Sequence, residues 1–297
     1  MKMKKILLLP ITFLLITSLN VQAEWLPFTL KNNHITIDIE FNGQPAKAIL
    51  DSGASVNAVS ALYVKKYNKG ITTSEKINVE GVNSTQKRTL YSNIPLKLFG
   101  VEITLNKLVE VNLSGPAILL GAPFFNNFIV QIDYPNSRIQ LLPKKSIDLD
   151  KFKNVNVKRQ RNTLLPAIEV KINNQKVWLT LDTGNSAGLF MNRRYALNKK
   201  WISDDTELDK SYIKGVNKTI KTESFNLSSL TIGPYELGHI PVIINAEGER
   251  TNIGRRISGS AGIKTGKPTK GLLGYDILKH FVVTIDYSSY KVHIATP

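Results

Sequence analysis

Apolar and polar residues alternate with period two along much of the chain, as in "HITIDIEF" (34–41) and "AIEVKIN" (167–173). That alternation is the mark of half-buried strands, whose successive side chains face opposite sides of a sheet. "FIVQIDYPNSRIQLL" (128–142) and "FVVTIDYSSYKVHIA" (281–295) read as hairpins turning at Pro135-Asn136-Ser137 and Ser288-Ser289. Short helices are expected within "SALYVKKYN" (60–68), "NRRYALNKKW" (192–201) and "YDILKHF" (275–281). The predicted fold class is mostly β.

The N-terminus breaks this pattern. Lys2, Lys4 and Lys5 precede an apolar run from Ile6 to Ile16, and "VQA" ends on the small Ala23. This reads as a secretory signal peptide over 1–23, since the run is too short to span a bilayer comfortably. The absence of cysteine excludes a lipid-acylated N-terminal Cys. The remaining chain is expected to be soluble and exported to a periplasm or the medium, with no transmembrane span after signal cleavage. Losing the three leader lysines lowers the formal charge from +16 to +13. In an exported protein that excess points away from nucleic acid and towards contact with anionic surfaces. Without disulfides, stability must come from sizeable cores.

The second half repeats the first. "FNGQPAKAILDSG" (41–53) aligns without a gap on "INNQKVWLTLDTG" (172–184), at an offset of 131. Gly81-Val82-Asn83 in "VEGVNSTQ" matches Gly215-Val216-Asn217 in "IKGVNKTI". "ILLGAPFFNNFIVQIDYPNSRIQLLP" then matches "GLLGYDILKHFVVTIDYSSYKVHIATP" at an offset of 153, with Gly121 on Gly274, Phe128 on Phe281 and Asp133-Tyr134 on Asp286-Tyr287. The order of landmarks marks a duplication, with halves over 24–143 and 164–297. The polar, charged stretch 144–163 is the connection. The extra residues of the second half fall mainly in 246–271, rich in Gly, Ser and basic residues, which is expected to be a mobile, disordered loop.

Each half ends an apolar strand on Asp-Ser/Thr-Gly. Gly53 and Gly184 allow a tight turn that leaves the carboxylates of Asp51 and Asp182 pointing outward. The hydroxyls of Ser52 and Thr183 can bond backbone across a facing loop. Related by a pseudo-twofold axis, the loops would bring the two carboxylates face to face. Like charges so close cannot both ionise, so one carboxyl keeps a proton while the other serves as a base. Such a pair can activate water and protonate a carbonyl oxygen or leaving nitrogen.

On "ILDSGAS", "TLDTGNS", "ILLGAPFF" and "GLLGYDIL" the chain resembles the aspartic proteases. It is most similar to bacterial exported relatives in which two retropepsin-like units are fused into one pepsin-like pseudodimer. The resemblance runs from about residue 30 to 297. It implies two β-barrel aspartic-protease lobes, a catalytic pair Asp51 and Asp182, a site shaped by Ser52, Gly53, Thr183 and Gly184, and no metal or cofactor. It implies an aspartic endopeptidase that binds a polypeptide substrate in extended form and is active as a monomer. Gly81, Val82 and Asn83, with Gly215, Val216 and Asn217, would be candidate flaps. Pepsin-like flaps carry a Tyr beside the glycine; here Tyr212, three residues before Gly215, is the nearest. Ala54 and Asn185 stand where pepsin-like enzymes often carry a hydroxyl, which implies activity at mildly acidic to near-neutral pH.

Other chemistries lack their parts. His34, His239, His280 and His293 show no zinc-ligand spacing and read as ordinary surface or strand residues. "SAGIKTGKPT" departs from a phosphate loop, and "SGSAG" is not a nucleophile elbow. A glycosidase seldom places its carboxylates on duplicated turns of this kind. A non-catalytic peptide- or glycan-binding relative is the alternative, and it would be expected to have lost one Asp or Gly.

Overall fold

The computed structural model describes residues 24–80, 85–161, 163–203, 205–214, 219–252 and 265–297. Each half is built on the same strand plan. In the first, His34–Phe41 and Gln44–Leu50 form an antiparallel hairpin. Its turn residues Asn42 and Gly43 both adopt positive φ, which suits a two-residue turn matching strand twist. Strand Ile118–Leu120 then returns parallel to Gln44–Leu50, pairing Ile118 with Ala48 and Leu120 with Leu50, and antiparallel to Ala58–Ser60.

The second half repeats this arrangement. Pro166–Ile172 pairs with Gln175–Leu181 around Asn173 and Asn174, again both at positive φ. Gly271–Leu273 lies parallel to Gln175–Leu181 and antiparallel to Leu189–Met191. The pairing of Thr36 with Ile49 becomes that of Ala167 with Thr180, so the offset of 131 read from sequence holds in the register.

The halves join through a third sheet. Strands Ile129–Asp133 and Val282–Asp286 pair antiparallel, each continued by its hairpin partner, Arg138–Leu142 and Lys291–Ala295. Gln131 faces Thr284, its own counterpart at the offset of 153, and donates to its hydroxyl at 2.9 Å. The flanking pairs, Ile129 with Asp286 and Asp133 with Val282, are exchanged by the same offset. The pseudo-twofold axis therefore passes through the Gln131–Thr284 pair.

A contiguous apolar core runs through both halves, with Phe41, Leu50, Phe125, Phe281 and Tyr287 among its fully buried members. Phe125 and Tyr287 stack across the halves, ring centres 5.8 Å apart. Three expected helices occur at Ala61–Lys66, Arg193–Asn198 and Tyr275–Leu278. Two more, Ala122–Phe125 and Leu149–Phe152, are too short to leave a periodic signal.

The connection 144–163 holds the second of these helices and a strand, Val157–Arg159, which pairs with Pro166–Ile172. The expectation of a mobile loop over 246–271 is corrected for residues 265–270. Lys267 N–H donates to Arg159 C=O at 2.9 Å, Arg161 N–H to Lys267 C=O at 2.8 Å, and Lys270 N–H to Trp178 C=O at 2.8 Å. Backbone pairing fixes this segment, and composition carries no sign of such pairing. Residues 253–264 lie outside the described residues.

Candidate active site

Asp51 follows the last residue of Gln44–Leu50, and its N–H donates to Leu120 C=O at 2.9 Å. Asp182 follows Gln175–Leu181 and donates to Leu273 C=O at 3.0 Å. The returning strand of each half thus holds the start of its Asp loop. Each loop closes identically: Ala54 N–H donates to Asp51 C=O and Asn185 N–H to Asp182 C=O, both at 3.2 Å. Within each triplet the glycine N–H donates to the aspartate Oδ1 at 2.9 Å, Gly53 to Asp51 and Gly184 to Asp182.

Ser52 and Thr183 lock the loops together. Ser52 N–H donates to Thr183 Oγ1 at 2.9 Å and Thr183 N–H to Ser52 Oγ at 3.0 Å. The hydroxyls then donate onward across the boundary, Ser52 to Leu181 C=O at 2.8 Å and Thr183 to Leu50 C=O at 2.9 Å. Both side chains are buried. Each hydroxyl oxygen accepts one bond and gives one, so neither is left unpaired in the core.

The glycines set the distance between the carboxyls. A Cβ added to Gly53 would lie 2.3 Å from Asp182 Cγ, and one added to Gly184 would lie 2.3 Å from Asp51 Cγ. Each carboxyl rests on the opposite half's glycine backbone, and the two share a hydrogen bond. Any side chain there would push them apart.

Burial raises both carboxyls above the usual carboxylate range. Asp182, 7% exposed, is raised well above it, because the charge of Asp51 and their mutual hydrogen bond add to its burial. On half-buried Asp51 the hydrogen bond from Asp182, the Gly53 N–H and the field of His34 all oppose the burial. Both shifts, with the hydrogen bond between the carboxyls, favour a single shared proton over two ionised carboxylates, and a pair so coupled titrates as a unit.

The supports differ between the halves. Gly121 N–H donates to Asn57 Oδ1, whereas Gly274 N–H donates to Gly188 C=O, both at 2.8 Å. Asn185 does not touch the dyad through its side chain. It accepts from Ala187 N–H and donates to Gly188 C=O, each at 3.2 Å, which shapes the loop beneath Gly274. Buried Tyr287 donates to Ser52 C=O at 3.0 Å, while its counterpart Tyr134 has a buried hydroxyl with no partner among the described residues. Burial holds both phenols well above their ordinary range, so they stay neutral.

The structure thus gathers Asp51, Ser52, Gly53, Asp182, Thr183 and Gly184 at one junction. The candidate flap residues Gly81, Val82, Asn83, Gly215, Val216 and Asn217 lie outside the described residues. The strands leading to them pair antiparallel as far as Glu80 with Thr85 and Lys214 with Thr219, and Tyr212 is 70% exposed on the second pair. Sequence reasoning missed three supports: Asn57, Tyr287 and His34. His34, read as an ordinary strand residue, sits within the field of Asp51. Extending the repeat backwards by 17 residues from each Asp would have drawn attention to it, because there the halves differ. Among the described residues no three His, Asp or Glu side chains gather as a metal site.

Comparison with known proteins follows the same division. Residues 37–127 match the family described as "gag-polyprotein putative aspartyl protease", and residues 168–277 match the one described as "Aspartyl protease". No curated protein matches the chain. Among solved structures it is similar to a retropepsin-like aspartic protease from Rickettsia conorii, at 22% identity over 48% of this chain and 91% of that one, with a TM-score of 0.29. One aspartyl-protease match per half, each containing one Asp-Ser/Thr-Gly turn, defines a two-lobed aspartic-protease fold. The chain belongs to the aspartic proteases, with two aspartyl-protease domains in tandem.

Proposed function

We propose that this protein is an aspartic endopeptidase in which Asp51 and Asp182 activate a water molecule against a peptide bond. The observation that carries this reading is the mutual seating of each carboxyl on the other lobe's glycine, close enough for the two to share a hydrogen bond. The ionised carboxyl takes a proton from water as the water oxygen attacks the scissile carbonyl carbon. The protonated carboxyl gives its proton to the carbonyl oxygen, so charge does not build on the tetrahedral intermediate. Collapse then breaks the C–N bond: the proton taken from water passes to the leaving nitrogen, and a hydroxyl proton of the intermediate returns to the other carboxylate.

The substrate is a polypeptide bound in extended form, since strand-like segments pair their backbone with such clefts. Both halves of the dyad lie in one chain, which supports activity as a monomer. The leader-like N-terminus supports action after export, and the basic balance supports contact with anionic surfaces.

The test is hydrolysis of a mixed peptide library by the purified protein from pH 3 to 8, beside Asp51→Ala and Asp182→Ala, with and without a statine-type inhibitor. Cleavage that requires both aspartates and yields to the inhibitor is expected. Peptides that bind without being cut would instead identify a binding protein of the same fold.

A further inference from the structure

The Asp loops are near copies, but the walls beside them are not. His34 begins the strand His34–Phe41, and the matching position in the second half, 131 residues on, is the buried Leu165. The turn before His34, Asn32 and Asn33, has both residues at positive φ. From it Asn33 Nδ2 donates to Ser186 C=O at 2.9 Å, in the loop that follows Asp182. That bond pins His34 at the junction of the lobes. Its ring is half-buried, and Nδ1 is buried without a hydrogen-bond partner among the described residues.

Two residues beyond the Thr36–Ile49 pair, the antiparallel register sets His34 across from Asp51, the carboxylate whose field acts on the imidazole. Lys31, opposite His34 in the pairing with Thr29–Lys31, is exposed and carries its ammonium to Gly115. Asn33 and Ser186 are uncharged.

We propose that His34 polarises the dyad, making Asp51 the ionised, water-activating base and leaving the shared proton on Asp182. This rests on the reading of Asp51 and Asp182 as a catalytic pair. A positive charge near Asp51 favours ionisation of that carboxyl, adding to the deeper burial that already disfavours a charge on Asp182, and Leu165 gives Asp182 no such help. Water screens a partly buried pair weakly. Burial outweighs the field of Asp51 and lowers the proton affinity of His34 below that of a free imidazole, so the ring gains its charge only as the pH falls and the dyad also takes up protons. In the reaction Asp51 then receives the proton of the attacking water and Asp182 supplies the proton to the carbonyl oxygen. His34 is a positioning residue: it touches neither proton but decides where they reside.

The experiment is a carbon-13 carboxyl titration of Asp-labelled protein by NMR, assigned with Asp51→Asn and Asp182→Asn. Wild type is compared with His34→Leu, which copies the other lobe, His34→Gln, which keeps the side chain polar, and His34→Arg, which keeps the charge. The first ionisation of the dyad is expected to belong to Asp51 and to rise by about one pH unit in the Leu and Gln variants. In the Arg variant it stays at or below the wild-type value. The acid limb of kcat/KM moves by the same amount, while KM changes little. A first ionisation that belongs to Asp182, or that is indifferent to His34, overturns the proposal. The titration needs no turnover, so failure to cut peptides would refute the proposed function while this result is still read separately.

Discussion

The two Asp loops share every bond that faces the dyad and differ in the supports around them. Ser52 and Thr183 exchange two bonds and each donates one more across the boundary, to Leu181 C=O and Leu50 C=O, and Gly53 and Gly184 make the same approach, 2.3 Å from a would-be Cβ to the opposite carboxyl carbon. Away from the dyad, Asn57 is matched by Gly188, His34 by Leu165, and the bonded Tyr287 by Tyr134, whose hydroxyl has no partner among the described residues. The difference separates two demands on a duplicated fold. Geometry at the axis must suit both halves at once, because each loop is the other's support. Packing further out need only satisfy its own half, and there the copies have drifted.

That contrast can be broken where it is strictest. Asp51→Asn and Asp182→Asn are each expected to lower kcat/KM by about 10⁴-fold, the upper range for loss of acid–base chemistry. The same changes should stabilise the protein at neutral pH. Below about pH 4 the carboxyls are protonated in both folded and unfolded chains, so the variants gain nothing there. As pH rises the unfolded chain loses its protons first, because the folded dyad is raised, and wild-type stability falls relative to Asp182→Asn. Thermal melts at pH 3 and pH 7 check the sign: the Asn variant should melt higher only at pH 7.

Gly53→Ala and Gly184→Ala come next, with losses of about 100-fold or more as the carboxyls are forced apart. Equal losses are expected, and a tolerated alanine on one side would break the symmetry claimed for the axis. Ser52→Ala and Thr183→Ala each leave a buried N–H and a buried carbonyl unpaired, at a cost of about 2 kcal/mol measured by denaturant unfolding. The smallest effect is the sharpest for the outer supports. Tyr287→Phe should cost about 1 kcal/mol by stranding Ser52 C=O, whereas Tyr134→Phe should be neutral or slightly stabilising, since its hydroxyl has no partner among the described residues to lose.

What could be read from sequence follows the same boundary. The dyad, its glycines and its hydroxyls stand out because the axis forces the same residues to appear twice. The joining hairpins are equally plain, since Asp133-Tyr134 and Asp286-Tyr287 repeat with their strands. Tyr287 could not be assigned to Ser52, because 235 residues separate them and neither position advertises the contact. Asn185 looked like a departure at the dyad, but its side chain is spent on the loop below Gly274. Residues 265–270 looked mobile by composition, yet backbone pairing with 159–161 fixes them, and backbone bonds leave little trace in side-chain identity. His34 was legible only as a mismatch within the repeat.

The central claim, that Asp51 and Asp182 act as one device, is tested most directly by a double-mutant cycle on peptide hydrolysis. Rates are measured for Asp51→Asn, Asp182→Asn and the double variant at one pH. Groups that act as a unit are grossly non-additive, so all three should leave nearly the same residual rate. Losses that multiply in the double variant, or a single variant that keeps substantial activity, would contradict the account.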